Sequence, residues 1–125
     1  MLKPHVLIAI ALVLIGSARA EDRPTYQSLW SEATAKPNNT IKEYPDLTLV
    51  FADNDLTLYY FTKPNHPAHP GVIERIVTQV GGAIYVREKG WSFAPDSAQP
   101  AFIHWLDQIK ELDRQMKTDL QRRKP

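Results

Sequence analysis

Apolar residues in the C-terminal quarter of the chain recur at spacings of three and four. The stripe consists of Phe102, Trp105, Leu106, Ile109, Leu112, Met116 and Leu120. This spacing predicts an amphipathic helix from about Ala98 to Arg122 whose stripe lies on a sheet. Asp96 and Ser97 precede this helix as capping residues, and Pro100 suits its first turn because the missing N–H would be unpaired there.

The middle of the chain has the β-branched and aromatic composition of strands. The predicted strands are Leu47 to Ala52, Leu56 to Lys63, Val72 to Val80 and Ala83 to Lys89. The segments Asp53-Asn54-Asp55 and Gly81-Gly82 predict tight turns because these residues tolerate positive φ angles. Short connections of this kind predict an antiparallel meander of four strands.

A short helix is predicted before the strands, because Thr25 can cap a segment that runs to about Ala35. Its apolar residues, Tyr26, Leu29, Trp30 and Ala33, fall on one helical face. The predicted fold is therefore α+β, with a short N-terminal helix, a four-stranded antiparallel sheet and a long C-terminal helix packed on that sheet. Residues 21–125 form one domain, since neither a repeat nor a long linker divides them.

The second predicted strand is apolar on both faces. Leu58 and Tyr60 alternate with Tyr59 and Phe61, and Tyr85 is a further candidate for the second face. The long helix can cover only one of these faces. Either the N-terminal helix covers the other, or that face is a binding surface.

Residues 1–20 have the features of a cleaved signal peptide. Lys3 precedes an apolar run from Val6 to Ile15, and Ala18-Arg19-Ala20 is a small-x-small cleavage pattern. The run is shorter than the roughly 20 residues that a membrane span needs, although a retained anchor is the alternative. We expect an exported chain that begins at Glu21, with no stable membrane span, in the periplasm or, alternatively, secreted.

Charge and cysteine content narrow the classes of partner. The full chain has 15 basic and 14 acidic residues. Loss of Lys3 and Arg19 with the leader leaves 13 against 14, so the net charge changes from +1 to −1. A nearly neutral chain has no general attraction to nucleic acid. Because the chain contains no cysteine, thiolate catalysis is excluded, and a bacterial periplasm or exterior is favoured over a eukaryotic one.

The segment TKPNHPAHPG, residues 62–71, contains two histidines that are each followed by proline. Proline favours the second position of a β-turn, so His66-Pro67-Ala68-His69 is predicted to fold as a turn that brings the two imidazoles together. We expect either a structural corner, a contact for a ligand or partner, or a zinc or copper site at His66 and His69. Zinc needs at least three protein ligands. The candidates for the third ligand are His104, Glu74, Asp96 and Asp53.

Other candidate chemistry is sparse. Ser28, Ser31, Ser92 and Ser97 all lie outside a nucleophile-elbow motif. The carboxylate pairs Asp53/Asp55 and Glu111/Asp113 resemble solvated polar surface. Trp91 follows a glycine at a strand end, where it either seals the sheet or contributes to a contact surface.

The segment LTLYYFTKPNHPAHPGVI, residues 56–73, and the later GWSF, residues 90–93, resemble uncharacterised small exported proteins of Gram-negative bacteria that carry a TKPxHPAHP motif. The resemblance extends over roughly residues 47–106. It implies a bacterial, exported setting, and it implies no catalytic residues.

The sequence as a whole favours a non-enzymatic binding protein whose partner is a protein or a component of the cell envelope. The predicted contact residues are His66, His69, Tyr59, Phe61 and Trp91. The alternative is a metal-handling protein that uses His66 and His69, and the third hypothesis is a hydrolase of unrecognised type.

Overall fold

A computed structural model describes residues 23–123, so the predicted leader lies outside the described residues. The elements are α1 (Tyr26–Ala35), β1 (Thr40–Glu43), β2 (Leu47–Ala52), β3 (Thr57–Thr62), β4 (Gly71–Val80), β5 (Ala83–Ser92), a 3₁₀ turn (Asp96–Ala98) and α2 (Gln99–Arg122). The fold is α+β, and α2 packs on one face of an antiparallel sheet. Within the described part of the chain, no helix is long and apolar enough to cross a membrane.

The sheet has five strands in sequential order, β1 to β5, and not the four that the sequence predicts. The missed strand is β1, which pairs with β2 from Thr40↔Phe51 to Glu43↔Thr48. All four of its residues are exposed, and its sequence TIKE lacks the apolar alternation on which strand prediction depends. A short, charged strand of this kind is typical of a sheet edge.

The strand β3 is buried along its whole length, so both faces of the sheet need cover. On one face, Leu58 and Tyr60 pack against α2. On the other face, Tyr59 and Phe61 lie under α1 with no exposed surface. Of the two expectations for this face, cover by the N-terminal helix is the one that the structure shows, and the Tyr59 and Phe61 side chains have no exposed surface.

The helix α1 begins with a capping box and is attached to the sheet by a polar contact. The Thr25 hydroxyl accepts a hydrogen bond from the Ser28 N–H at 2.9 Å, and the Ser28 hydroxyl accepts one from the Thr25 N–H at 2.8 Å. The Tyr59 hydroxyl donates to Glu32 at 2.9 Å, and burial raises the pKa of Tyr59 well above its usual range. The sheet is therefore covered by one helix on each face.

The helix α2 confirms only part of the predicted stripe. Phe102, Trp105 and Ile109 are buried, whereas Leu112 and Leu120 are 57% and 36% exposed. At about 100° per residue, Leu112 lies about 80° around the helix from Phe102, at the margin of the buried arc. Asp113 lies only about 20° from Phe102, and it is buried where the predicted stripe has Leu112.

The start of α2 and the end of β5 also differ from the prediction. Ser97 does not cap α2, because it lies in the 3₁₀ turn and α2 begins at Gln99 without a side-chain cap. The strand β5 continues through Gly90 to Ser92 instead of ending at Lys89. A Cβ atom on Gly90 would lie 2.7 Å from Cζ of Phe102, so the close approach of α2 to β5 requires glycine there.

We predict that Gly90→Ala destabilises the protein by about 1–3 kcal/mol, the usual cost of overpacking a core. The added methyl group meets a Phe102 ring that is itself buried. Urea unfolding measures the loss, and a double variant with Phe102→Leu should recover part of it because the two changes share one space. An unchanged unfolding midpoint in the single variant would contradict the close contact.

Candidate functional site

The proline-histidine segment folds as two successive turns, which confirms the predicted turn at its centre. The His66 N–H donates to the Lys63 carbonyl at 2.9 Å, and the His69 N–H donates to the His66 carbonyl at 3.1 Å. Pro64 and Pro67 each occupy the second position of their turn, where a fixed φ near −65° is favoured. The prolines are therefore explained by backbone geometry alone.

His66 lies on the α2 side of the sheet. Its Nδ1 accepts a hydrogen bond from the Ala68 N–H at 3.0 Å, and its ring lies 4.7 Å from the Trp105 ring. Burial lowers the pKa of His66, although the nearby Asp46 opposes this effect. With the Nδ1 lone pair occupied, the proton of neutral His66 resides on Nε2.

His69 lies on the α1 side, against the edge of Tyr26 at 5.7 Å between ring centroids. Its Nδ1 is 2.8 Å from the hydroxyl and 3.1 Å from the carbonyl oxygen of Thr62, which is fully buried. Because a carbonyl oxygen only accepts, Nδ1 carries the proton and donates. The Thr62 hydroxyl also accepts from the Gly71 N–H at 2.9 Å, so this hydroxyl links the corner to β3 and β4.

The two histidines therefore contact aromatic residues of different helices, and a third ligand does not join them. Among residues 23–123, no group of three or more His, Cys, Asp or Glu side chains is arranged to hold a metal ion. His104 is exposed on α2, as its helical position predicts. Binding of zinc or copper at His66 and His69 stays a prediction, and at His66 Nε2 it would require a tautomer change that breaks the Ala68 bond.

A cluster of charged residues that the sequence analysis missed lies between the sheet and α2. Arg75 of β4 pairs with Asp113 of α2, with Nη1 and Oδ1 at 3.4 Å. Asp113 is only 2% exposed, which corrects its assignment to solvated surface. Its Oδ2 atom and the Arg75 Nε atom are buried without a hydrogen-bond partner among the described residues.

The pKa of Asp113 is raised to about 7, first by burial and then by the neighbouring Glu88 carboxyl group, while Arg75 opposes the shift. A substantial fraction of Asp113 therefore carries a proton near neutral pH. This carboxyl group can then act as either a donor or an acceptor of a hydrogen bond.

Two cavities flank the outer edge of β5, one on each face of the strand. Both are bordered by Val86, Glu88 and Lys110. The α1-side cavity, of about 450 Å³, also has Glu74, Ile76, Arg87 and Lys89 in its lining. The α2-side cavity, of about 320 Å³, is otherwise lined by Asp113, Arg114 and Lys117.

The backbone at this edge is open. The two-residue turn at Gly81-Gly82 makes Val80 and Ala83 a hydrogen-bonded pair, so alternate residues of β5 point their N–H and C=O groups away from β4. These outward residues include Ile84, Val86 and Glu88. No strand within residues 23–123 pairs with this side of β5.

The cavities are rimmed by an excess of cations. Among the described residues, Arg87, Lys89, Lys110 and Lys117 form no ion pair, whereas Arg114 donates from Nε to Glu111 at 2.8 Å. This edge therefore carries local positive charge, although the full chain has a net charge of only +1.

Trp91, the remaining predicted contact residue, is half-buried. It packs with the cluster under α1 and borders a cavity of about 600 Å³ beside Arg23 and Phe93. The Lys89 ammonium group lies 5.2 Å from its ring centroid. The structure therefore places Trp91 near the end of β5, on the same buried cluster as Tyr26.

Comparisons of this chain with protein-family models, with curated proteins and with solved structures return no match. The site is therefore interpreted from its own geometry.

We predict that the stability contributed by Asp113 falls as pH rises from about 4 to about 7. The folded-state pKa of about 7 exceeds the usual value near 3.9, so in this window the folded state binds more protons than the unfolded state. Asp113→Asn should remove this dependence. Urea unfolding gives the free energy of unfolding of both proteins across this pH window. The titration of His66 contributes equally to both, so it cancels in their difference. If the two free energies change in parallel with pH, the burial of a protonated carboxyl group is contradicted.

We predict that His69→Ala lowers the free energy of unfolding by about 1–2 kcal/mol, because the buried Thr62 hydroxyl and carbonyl groups lose a hydrogen-bond partner. His104→Ala is the matched control, since His104 is exposed and should change stability by less than about 0.5 kcal/mol. Thermal and urea unfolding measure both. Equal effects of the two variants would show that the Thr62 contact is not structural.

Proposed function

We propose that this chain is an exported, non-enzymatic binding protein that contacts a partner protein through the β5 edge, defined as the outward side of residues 84–90. The observation that supports it is an unpaired stretch of a ten-residue edge strand with a cavity on each face. An extended segment of the partner would add to the sheet as a sixth strand.

The two edges of the sheet differ in ways that favour β5 over β1. The strand β1 has four residues, and its Glu43 is tied to Lys63 at 3.0 Å and to Thr48 at 2.7 Å. Short, charged edges resist pairing with other chains. The strand β5 has ten residues, so it offers several outward backbone groups in one register.

The cavities can select among partner sequences, which backbone pairing alone cannot do. In strand addition, main-chain hydrogen bonds provide affinity, and pockets for alternate side chains provide specificity. Successive residues of an added strand would point alternately to the α1-side and the α2-side cavity. A polypeptide partner is favoured over other envelope components because only a polypeptide has the matching backbone.

Catalysis is less favoured than binding at this edge. The proximity of Asp113 and Glu88 resembles the paired carboxyl groups of acid–base enzymes. However, Asp113 is 2% exposed and already contacts Arg75, so a substrate bond has little access to it.

Site-specific photocross-linking tests the proposed contact. The exported protein would carry a photoreactive phenylalanine at Arg87, or at Asn65 in the corner as a comparison site, and would be irradiated in the presence of envelope extract. We expect a discrete cross-linked partner from Arg87 only. Val86→Pro should abolish this product because it removes an outward N–H, whereas the matched Val86→Thr keeps the N–H and should retain the product.

The other outcomes are equally informative. A product from Asn65 and none from Arg87 would transfer the contact surface to the proline-histidine corner. A product with twice the mass of the chain would identify a second copy as the occupant of the edge. Circular dichroism and urea unfolding of Val86→Pro establish that it remains folded.

A further inference from the structure

Resting on the proposed strand addition, we infer that the added segment is acidic. Its aspartate or glutamate side chain enters the α2-side cavity, where the ammonium groups of Lys110 and Lys117 bind the carboxylate. The partner is thus an extended polypeptide segment with an acidic residue at one defined position.

The charge of the cavity supports an acidic occupant. Its lining contains three cations, Lys110, Arg114 and Lys117, and Arg114 is occupied by Glu111. The two lysines have no ionic partner among the described residues, and the Lys117 ammonium group lies 5.7 Å from the Tyr85 ring centroid. A basic side chain entering here would meet like charges at short range, whereas a carboxylate would form charge-assisted hydrogen bonds.

The register of β5 specifies where the acid should lie. Residues directly opposite each other on neighbouring strands point to the same face, and Val86 and Glu88 both face α2. An acid opposite Glu88 would place two carboxylates side by side, which is destabilising. The acidic residue is therefore expected opposite Val86, with an uncharged or basic residue opposite Glu88.

Asp113 sets the charge of the cavity wall. Its Oδ2 atom has no hydrogen-bond partner among the described residues, and the residue is 2% exposed at the wall. In its protonated form the carboxyl group is neutral, whereas its ionised form repels an incoming carboxylate. The groups that face Asp113 are Arg75 from β4, Glu88 from β5 and Tyr60 from β3, with the cavity cations of α2 around them.

The same charges disfavour a second copy of the chain as the occupant. Pairing β5 with β5 would bring Arg87, Glu88 and Lys89 of both copies to one edge. In an antiparallel pair of two β5 strands centred on Glu88, Glu88 lies opposite Glu88 and Arg87 lies opposite Lys89, so like charges face each other. The occupant proposed is accordingly a different polypeptide.

Three short capped peptides test the inference. Each alternates threonine and valine, and they differ only in the central residue, which is glutamate, glutamine or lysine. Titration into the labelled exported protein, followed by the amide resonances of Val86 and Glu88, gives each dissociation constant. We expect the glutamate peptide to bind about tenfold more tightly than the glutamine peptide, and the lysine peptide to bind most weakly.

Variants separate the contributions. Lys110→Ala and Lys117→Ala should each reduce the preference for glutamate, whereas Lys42→Ala, at the opposite sheet edge, should retain it. In Asp113→Asn, the side chain is neutral at every pH. In the unaltered protein, the affinity for the glutamate peptide should decrease as pH rises through about 7. In the variant, this decrease should be absent.

Each failure has its own meaning. Equal affinities for the three peptides, with shifts at Val86 and Glu88, would overturn the acidic preference and leave strand addition standing. If all three peptides leave these resonances unmoved, the proposed function falls with the inference. Shifts that depend on protein concentration alone, with a doubled mass in sedimentation, would assign the edge to a second copy.

Discussion

The burial of β3 on both faces is the constraint on which the rest of the structure depends. A strand with Tyr59 and Phe61 on one side and Leu58 and Tyr60 on the other exposes a large apolar area unless both faces are covered. At about 25 cal/mol per Å² of apolar surface, leaving either face open would cost several kcal/mol. The two helices of the described chain therefore cover opposite faces of β2, β3 and the first half of β4.

That arrangement leaves the outer edge of β5 open. The helix α2 lies against one face of β5 at Gly90, and no strand within the described residues pairs with the outer edge. The Arg75–Asp113 pair fills the space between sheet and helix at this point. Buried ion pairs with unsatisfied atoms contribute little to stability, and apolar replacements are often better. Asp113 lies in the wall of the α2-side cavity, so the pair adjoins the space in which we propose that a partner segment binds.

The spacing of apolar residues predicted most of the helices and strands. The differences from the prediction arise from contacts between elements that are far apart in sequence. The apolar spacing of Phe102, Trp105 and Ile109 identified α2, and the Asp53–Asp55 turn does adopt positive φ angles. Asp113 was missed because a single polar residue in an apolar arc is read as surface, although its helical phase and the inward register of Arg75 together mark a buried pair. The strand β1 was missed because an exposed edge strand has no apolar alternation.

The candidate site was predicted less well than the fold, for a physical reason. The proline-histidine corner is conspicuous in sequence because it is dense in rare residues, and those residues are explained by turns and by hydrogen bonds to Thr62 and Ala68. A strand lies at the edge of a sheet when no other strand pairs with one of its sides. This can be recognised only once the pairing of all the strands is known. The cavities beside this edge are lined by residues from β4, β5 and α2 that are far apart in sequence.

Amide hydrogen exchange measured residue by residue tests the open edge of β5 most directly. We predict rapid exchange at the outward amides of Val86 and Glu88, and slow exchange at the inward amides of Tyr85 and Arg87. Binding of an extended peptide should then protect the outward pair. Outward amides that are already protected in the free protein, or that gain no protection when a peptide binds, would contradict the account.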